Sequence, residues 1–454
     1  MKKECFSRPI HAFHVMTKPT GSLCNLDCQY CFYLEKAALF PKDHSFRMSD
    51  HVLENYVRQY IAAQHSMEVS FAWQGGEPTL MGVDFFRRAV ALQKKYADGK
   101  TITNSMQTNG TLLDDEWGEF LASEKFLVGL SIDGPEALHD IYRRDKGGGP
   151  SFKKVMRGLD VLKKHAVQFN TLTVVNRANS KHPLETYRFL KEAGSEYIQF
   201  IPLIERMPDS QMKESGHSLS LPPDPHEPSH AHLPVTPWSV ESSAYGQFLI
   251  QIFDEWVRHD VGKVFVQIFD VALNCWAGMK SPLCVFSETC GTAMALEHNG
   301  DVFSCDHYVY SEYRLGNIAE TGLDAMASSM KQRRFGDDKQ ASLPRYCKEC
   351  PFLFACNGEC PKHRFLTSPS GEPGLNYLCS GYRVFFKHIA PHMETMVSLL
   401  RSRRAPAEIC SMIKREDQER LWKTAGRNDP CPCGSGKKRK LCCGDKPTTF
   451  STAR

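Results

Sequence analysis

A chain of 454 residues is too long for one small core, and length alone gives a prior of about three domains. Its composition, 41% apolar and 24% charged, is ordinary for soluble globular protein. A net charge of +4 gives no support to a nucleic-acid or membrane partner.

The chain opens on MKKECFSRPIHAFHVM, which has a basic start but no apolar core of signal-peptide length. No later run approaches the ~20 apolar residues of a membrane span, so the expectation is a cytoplasmic protein. Six β-branched, apolar runs follow: HVMTKPT (14–20), VSFAWQGG (69–76), ITNSMQTNG (102–110), FLVGLSIDG (126–134), QFNTLTVV (168–175) and YIQFIPLI (197–204). Between them lie stretches with apolar residues at three- and four-residue spacing, which predicts helices, with Ser49 and Asp114 as N-caps. Six strand–helix repeats imply a parallel α/β sheet, wound openly or curled into a partial barrel. Polar, Gly-rich segments end three of the strands: QGGEP (74–78), QTNG (107–110) and SIDGP (131–135). Ligands of parallel sheets bind at the carboxyl ends of strands, so these loops are read as one site.

Residues 206–240, rich in Pro, His and Ser, read as a surface insertion or connection. The helix-like 245–262 and a strand-like KVFVQIF lead into a cysteine-rich part. A long helix around 382–404, kinked at Pro391, closes it.

The cysteines carry the chemistry. There are eighteen, none between 32 and 274, and such clustering in a large chain points to metal rather than disulfides. Cys24, Cys28 and Cys31 form a C-x3-C-x2-C run just after the first strand. Three thiolates can hold a cuboidal iron–sulfur cluster and leave one iron open, the mark of chemistry rather than electron storage. A zinc site completed by a distant ligand is the bland reading. Farther on, Cys284, Cys290, Cys305, Cys347, Cys350, Cys356, Cys360 and Cys379 supply enough thiols for two four-cysteine sites; two zinc sites are the structural alternative. Next to Cys305 stands Asp306, either a turn residue or a general base. His307 is the rival base on its ordinary pKa of about 6.5.

The triple-cysteine loop and QGGEP resemble the radical S-adenosylmethionine (SAM) superfamily over roughly the first 205 residues. The resemblance implies a partial (β/α)6 barrel. It also implies that the open iron binds SAM, which one electron cleaves to a 5′-deoxyadenosyl radical. On it, Gly76 approaches the SAM amino group, Ser131, Arg143 and Leu203 contact the remainder, and Tyr30 lends main chain beside the adenine; Arg144 is a rival for Arg143. The later cysteines resemble the SPASM extension, which carries auxiliary [4Fe–4S] clusters. That likeness implies crossed ligation: Cys284, Cys290, Cys305 and Cys360 on one cluster, Cys347, Cys350, Cys356 and Cys379 on the other.

CNLDCQYCFYLEK, FAWQGGEPTL, YIQFIPLIE, DVGKVFVQIFD and SCDHYVYSEYRLGNI together resemble anaerobic sulfatase-maturating enzymes through about residue 400. The likeness implies oxidation of a Cys or Ser in a sulfatase polypeptide to Cα-formylglycine, with Asp306 as proton acceptor; on general grounds a carboxylate suits that role best where partial burial raises its pKa toward neutrality. Tyr33 is then a substrate-side contact, and an external donor such as a ferredoxin or flavodoxin supplies electrons. Other readings are a different SPASM peptide modifier, such as a thioether-forming one, and a non-catalytic metal-binding adaptor. GRNDPCPCGSGKKRKLCCG (426–444) resembles the SEC-C zinc motif, with Cys431, Cys433, Cys442 and Cys443 as a closed structural site. Cys5, Cys275 and Cys410 are left without a role. The expected domains are 1–235 for the barrel with its insertion, 236–400 for the connecting helix and SPASM part, 401–424 a helical linker, 425–446 the zinc motif and 447–454 a flexible tail.

Overall fold

The computed structural model describes residues 12–40, 45–214, 216–224 and 234–444. Cys5, the histidine-rich core of the insertion (225–233) and the 447–454 tail lie outside the described residues.

The six predicted strands form where alternation and β-branching placed them: β1 His14–Lys18, β2 Glu68–Trp73, β3 Thr101–Thr108, β4 Leu127–Ser131, β5 Phe169–Val175 and β6 Tyr197–Pro202. They pair in parallel and in sequence order, with helices returning the chain between them. Ser49 accepts from Val52 N–H and Asp114 from Trp117 N–H, so both predicted caps are in place.

The sheet does not stop at six strands. KVFVQIF, expected as a strand, gives only β7 Phe265–Val266 on the β6 edge before turning into the helix Gln267–Trp276. That helix buries Ile268, Phe269, Val271 and Ala272 on one face, so a helical apolar period overrides β propensity. At the other edge, β8 Ala293–Glu297 adds in parallel to β1, with Lys18 opposite Glu297, followed by antiparallel β9 Asp301–Phe303 and β10 Arg314–Asn317. The cysteine-rich half therefore continues the barrel sheet. Its apolar cores also cross the 235/236 boundary. One joins Leu130, Val175 and Tyr187 to Phe253, Phe269 and Phe385; the other joins Val15, Trp73 and Phe86 to Met294 and Val302.

The insertion is more than surface loop. Met212, Leu219 and Ser220 are buried, and Arg206 bridges to Val235. The helix Cys379–Arg401 runs through Pro391 without interruption. It crosses the helix Ser242–His259 at a glycine contact, where a Cβ on Gly381 would meet Ser242 O at 2.0 Å and one on Gly246 would meet Gly381 O at 2.7 Å. Among the described residues no helix is long and apolar enough to cross a membrane.

Because neither backbone at that crossing can yield cheaply, Gly381→Ala is expected to destabilise the fold by about 1–3 kcal/mol. Thermal unfolding monitored by circular dichroism checks this.

Candidate active site

The strand ends bring the motif loops together. Gly76 N–H donates to Gly21 O at 2.7 Å and Glu77 N–H to Leu23 O at 2.9 Å, so QGGEP lies directly on the cysteine loop. A Cβ on Gly76 would stand 2.0 Å from Leu23 O, which is why only glycine fits there. Glu77 is buried and locks the arrangement. Its Oε1 accepts from Thr79 N–H and Oγ1 and from Thr108 Oγ1, and its Oε2 accepts from Asn109 N–H. Burial pushes its carboxyl up despite these donors.

The triple-cysteine loop is clamped from the other side. Asp27 N–H donates to Arg144 O and Gln29 N–H to Tyr142 O. Arg143 turns inward, its Nε 3.0 Å from Asp133 Oδ2, which also accepts from Tyr30 O–H at 2.6 Å. Its neighbour Arg144 is exposed and donates to Gly148 O. Ser131 and Leu203 are buried at their strand ends, Leu203 N–H bonded to Val175 O. Burial raises the thiols of Cys24 and Cys28 to about 12 and raises Cys31, and the negative charge of neighbouring thiols adds to the shift at Cys24 and Cys28. Ser22 Oγ, within the same loop, is a buried polar atom with no intramolecular partner. Three soft donors of one loop act on one another, and glycine opens the facing loop. This set fits an iron–sulfur cluster with one uncommitted iron and a polar ligand beside it.

The later cysteines divide into two groups. Burial, and then neighbouring charge, raises the thiols of Cys284, Cys305 and Cys360; the thiols acting on one another are those of Cys284, Cys290, Cys305 and Cys360. In the same way Cys347, Cys350, Cys356 and Cys379 act on one another, with Cys356 and Cys379 both pushed up to about 12, again by burial first. Chain order would not have separated Cys356 from Cys360. Three successive residues between them, Asn357, Gly358 and Glu359, have φ of 46°, 70° and 53°, and this left-handed run sends Cys360 toward the first group. A buried Arg364 holds the run, donating to the carbonyls of Asn357, Gly358 and Glu359.

Asp306 follows Cys305 and faces the barrel. Its Oδ2 lies 3.8 Å from Lys18 Nζ, with the Asp306 side chain 20% exposed and that of Lys18 only 3%. Lys18 also donates to Gln74 Oε1 at 3.1 Å and sits 4.3 Å over the Tyr33 ring, and Gln74 bonds to Gln107. Tyr33 is buried and donates to Glu297, so it packs between the two halves of the sheet rather than standing open. The Asp306 carboxyl differs from expectation: burial raises it, but His307, Lys18, Cys305 and Lys362 outweigh burial, and its pKa is lowered. His307 is pushed down to about 4 by burial, and its Nδ1 faces Cys360 Sγ at 3.7 Å with its ring edge-on to Phe32. Both groups are therefore unprotonated at neutral pH.

Several charged groups around this site escaped the sequence reading. Lys36 is buried over the Tyr310 ring, pushed down to about 7 by burial, and Lys362 pairs with Glu205. Glu35 accepts from Ser218 Oγ and Leu219 N–H, drawing the insertion toward the same rim. The available signal was a charge closing an apolar strand, as in HVMTK and IPLIE.

At the far end of the chain, Cys431, Cys433, Cys442 and Cys443 place their sulfurs within 4.8 Å of one another, with contacts of 3.4 Å and 3.7 Å. Tetrahedral zinc with bonds of about 2.3 Å has sulfur–sulfur edges of about 3.8 Å, so these thiols fit that ion. Arg439 fastens the motif to the helix Glu408–Thr424 through Trp422 O and Ala425 O.

Family comparison agrees with this geometry. The radical SAM superfamily matches residues 19–212, the SPASM iron–sulfur cluster-binding domain 284–351, and the SEC-C motif 427–445. A serine-type anaerobic sulfatase-maturating enzyme of Bacteroides thetaiotaomicron is 49% identical over 409 residues, 90% of this chain and 96% of that one. The chain belongs to the anaerobic sulfatase-maturating enzymes. A cysteine-type member from Clostridium perfringens is 34% identical over 84% of this enzyme and 96% of its own length. The solved structure titled native anSMEcpe with bound AdoMet and Kp18Cys peptide superposes with a TM-score of 0.73 at 32% identity, covering 85% of this enzyme and 99% of that chain.

Removing one thiol of the terminal motif is expected to release its metal alone. Cys443→Ala should lose about one zinc per chain with iron content unchanged, measured by elemental analysis of anaerobically prepared protein.

Proposed function

We propose that this enzyme oxidises a Ser or Cys side chain of an unfolded sulfatase polypeptide to Cα-formylglycine (3-oxoalanine), with Asp306 as the base. The observation that carries the reading is the position of Asp306. It stands on the cysteine-rich half yet faces the carboxyl end of β1, where Lys18 reaches it and the charges of both Cys31 and Asp306 act on Tyr33.

SAM and three [4Fe–4S] clusters are the cofactors, with zinc in the terminal motif. Cys24, Cys28 and Cys31 hold the first cluster; Cys284, Cys290, Cys305 and Cys360 hold the second; Cys347, Cys350, Cys356 and Cys379 hold the third. Bound SAM and the first cluster supply the one-electron chemistry that removes a hydrogen atom from Cβ of the target side chain. Gly76, Ser131, Leu203 and the Tyr30 main chain line the SAM position. Arg143 acts through Asp133 and Tyr30, fixing the loop that carries Cys28 and Cys31.

The protein then manages one proton and one electron. Asp306 takes the proton of the target hydroxyl or thiol. Lys18 and Lys362 are the cations that act on its carboxyl at neutral pH, where it lies below the usual carboxylate range, is ionised and is ready to accept. Lys18 also orients it, being tied to Gln74. Loss of the Cβ hydrogen atom, the proton and one electron converts a hydroxymethyl group to the aldehyde. For a Cys target the thioaldehyde so formed is hydrolysed by water to the aldehyde, releasing hydrogen sulfide. A cytoplasmic setting, where the substrate is still unfolded, belongs to this reading.

Two outcomes test it. Anaerobically reconstituted enzyme should carry about twelve irons per chain, and mass spectrometry after incubation with SAM and reductant should detect aldehyde in a Ser or Cys peptide. Asp306→Asn should keep its iron and SAM cleavage while aldehyde formation falls by roughly 10²-fold or more; full product formation by that variant removes Asp306 from the mechanism.

A further inference from the structure

His307 adjoins Asp306 but takes no part in the proton transfer, and it stands between two sulfurs of the Cys284, Cys290, Cys305 and Cys360 group. It lies in the single turn Asp306–Tyr308 that follows Cys305. Burial and neighbouring charge raise the Cys305 thiol, and the main-chain N–H of His307 works against them, favouring the thiolate. The ring reaches the other way, its Nδ1 3.7 Å from Cys360 Sγ, a sulfur 53 positions along the chain.

The ring is held in that position from both halves of the molecule. Phe32, next to Cys31 on the barrel loop, meets it edge-on at 5.2 Å and 85°, and the His363 ring packs 6.4 Å away. Lys362 covers the Phe32 ring at 4.3 Å and is itself paired with Glu205.

A cysteine sulfur bound to iron carries no hydrogen and can only accept. The Nδ1 that faces it therefore holds the imidazole hydrogen, and the contact is an N–H···S bond. Other side chains act on these four sulfurs through charge: Asp306 and Glu359 with negative charge, Lys339 and Arg364 with positive. Both cations give hydrogens to main-chain carbonyls, Lys339 to those of Cys284 and Val285 and Arg364 to that of Gly358. Among the described residues, His307 supplies the only side-chain N–H bonded to a sulfur of this group. A hydrogen bond of this kind favours the more negative, reduced form of a cluster and raises its reduction potential.

We propose that His307 is a tuning residue that acts through Cys360: its Nδ1–H bonds to the ligating sulfur and holds up the reduction potential of the second cluster. The inference rests on the ligation and function proposed above. No bond forms or breaks at His307, and its ring keeps its hydrogen while the cluster gains or loses one electron. The cluster is then easier to reduce than the Asp306 and Glu359 carboxylates would leave it.

The test is a potentiometric titration of the full-length reconstituted enzyme, followed by EPR. SAM changes the spectrum of the cluster it binds and so marks the first one, which leaves two auxiliary midpoints to compare. His307→Phe removes the donor and keeps a flat ring against Phe32, whereas His307→Asn keeps an N–H donor at the δ position. The expected result is that one auxiliary midpoint falls in His307→Phe and returns toward the wild-type value in His307→Asn, while the other stays in place. Unmoved midpoints in a fully loaded His307→Phe protein, or an equal fall in both variants, overturn the proposal. Should His307→Phe load less iron than the wild type, pulsed EPR of reduced enzyme carrying nitrogen-15-labelled histidine decides. A histidine nitrogen coupled to an auxiliary cluster in the wild type and lost in His307→Asn supports the proposal; no coupling, or one that persists, overturns it. A wild type with about eight irons rather than about twelve lacks a cluster and strikes at the ligation itself, whereas a loaded wild type with unmoved midpoints strikes at His307 alone.

Discussion

A lysine buried at the end of β1 sets the terms for the rest of the molecule. Lys18 is almost wholly shielded, and an ammonium taken out of water costs several kcal/mol unless anions or oriented dipoles replace its hydration. The barrel alone offers it the amide of Gln74 and the face of Tyr33. Its opposite charges come from the cysteine-rich half: Asp306 within 3.8 Å, and Glu297 across the β1–β8 register. The two halves are therefore one electrostatic unit as well as one sheet. A barrel without β8–β10 would leave Lys18 buried with little to neutralise it.

The thiols carry a similar constraint. Burial raises nearly all of the internal cysteines described, so without metal they are held as neutral thiols. Metal binding must release those protons, and the free energy of that exchange becomes folding free energy for the segments the cysteines join. The left-handed run at Asn357–Glu359 makes the dependence sharper. Asparagine and glycine take positive φ readily, so Glu359 alone is disfavoured there, and Arg364 holds the turn through its carbonyls. Separate ligation of Cys356 and Cys360 is a use that justifies such a turn.

Much of this was legible in the sequence. Strand positions, both N-caps and the convergence of QGGEP with the cysteine loop follow from alternation, capping chemistry and the parallel-sheet rule. The separation of Cys360 from Cys356 was available only through resemblance to SPASM domains, because spacing carries no record of a left-handed turn. Lys18, Glu77 and Glu297 passed unnoticed, since a single charge at a strand end looks like a solvated terminus until its neighbours are known. KVFVQIF misled because β-branched residues also fit the buried face of a helix. The insertion at 206–240 read as surface because its few apolar residues, Met212 and Leu219, lack periodicity, though each is buried.

The direction of the Asp306 shift was the largest departure, and it bears on the base role proposed for the residue. Sequence could supply burial, which raises a carboxyl; it could not supply Lys18, from a strand 288 positions away, or Lys362. A carboxylate held ionised by cations binds a proton weakly. Cys284 and Cys305 feel the Asp306 charge as repulsion, and the effect is mutual. Ligating thiolates would therefore push its proton affinity back up, against the pull of Lys18. Asp306 thus stands between a cation that favours its ionised form and sulfurs that, as thiolates, would raise its proton affinity.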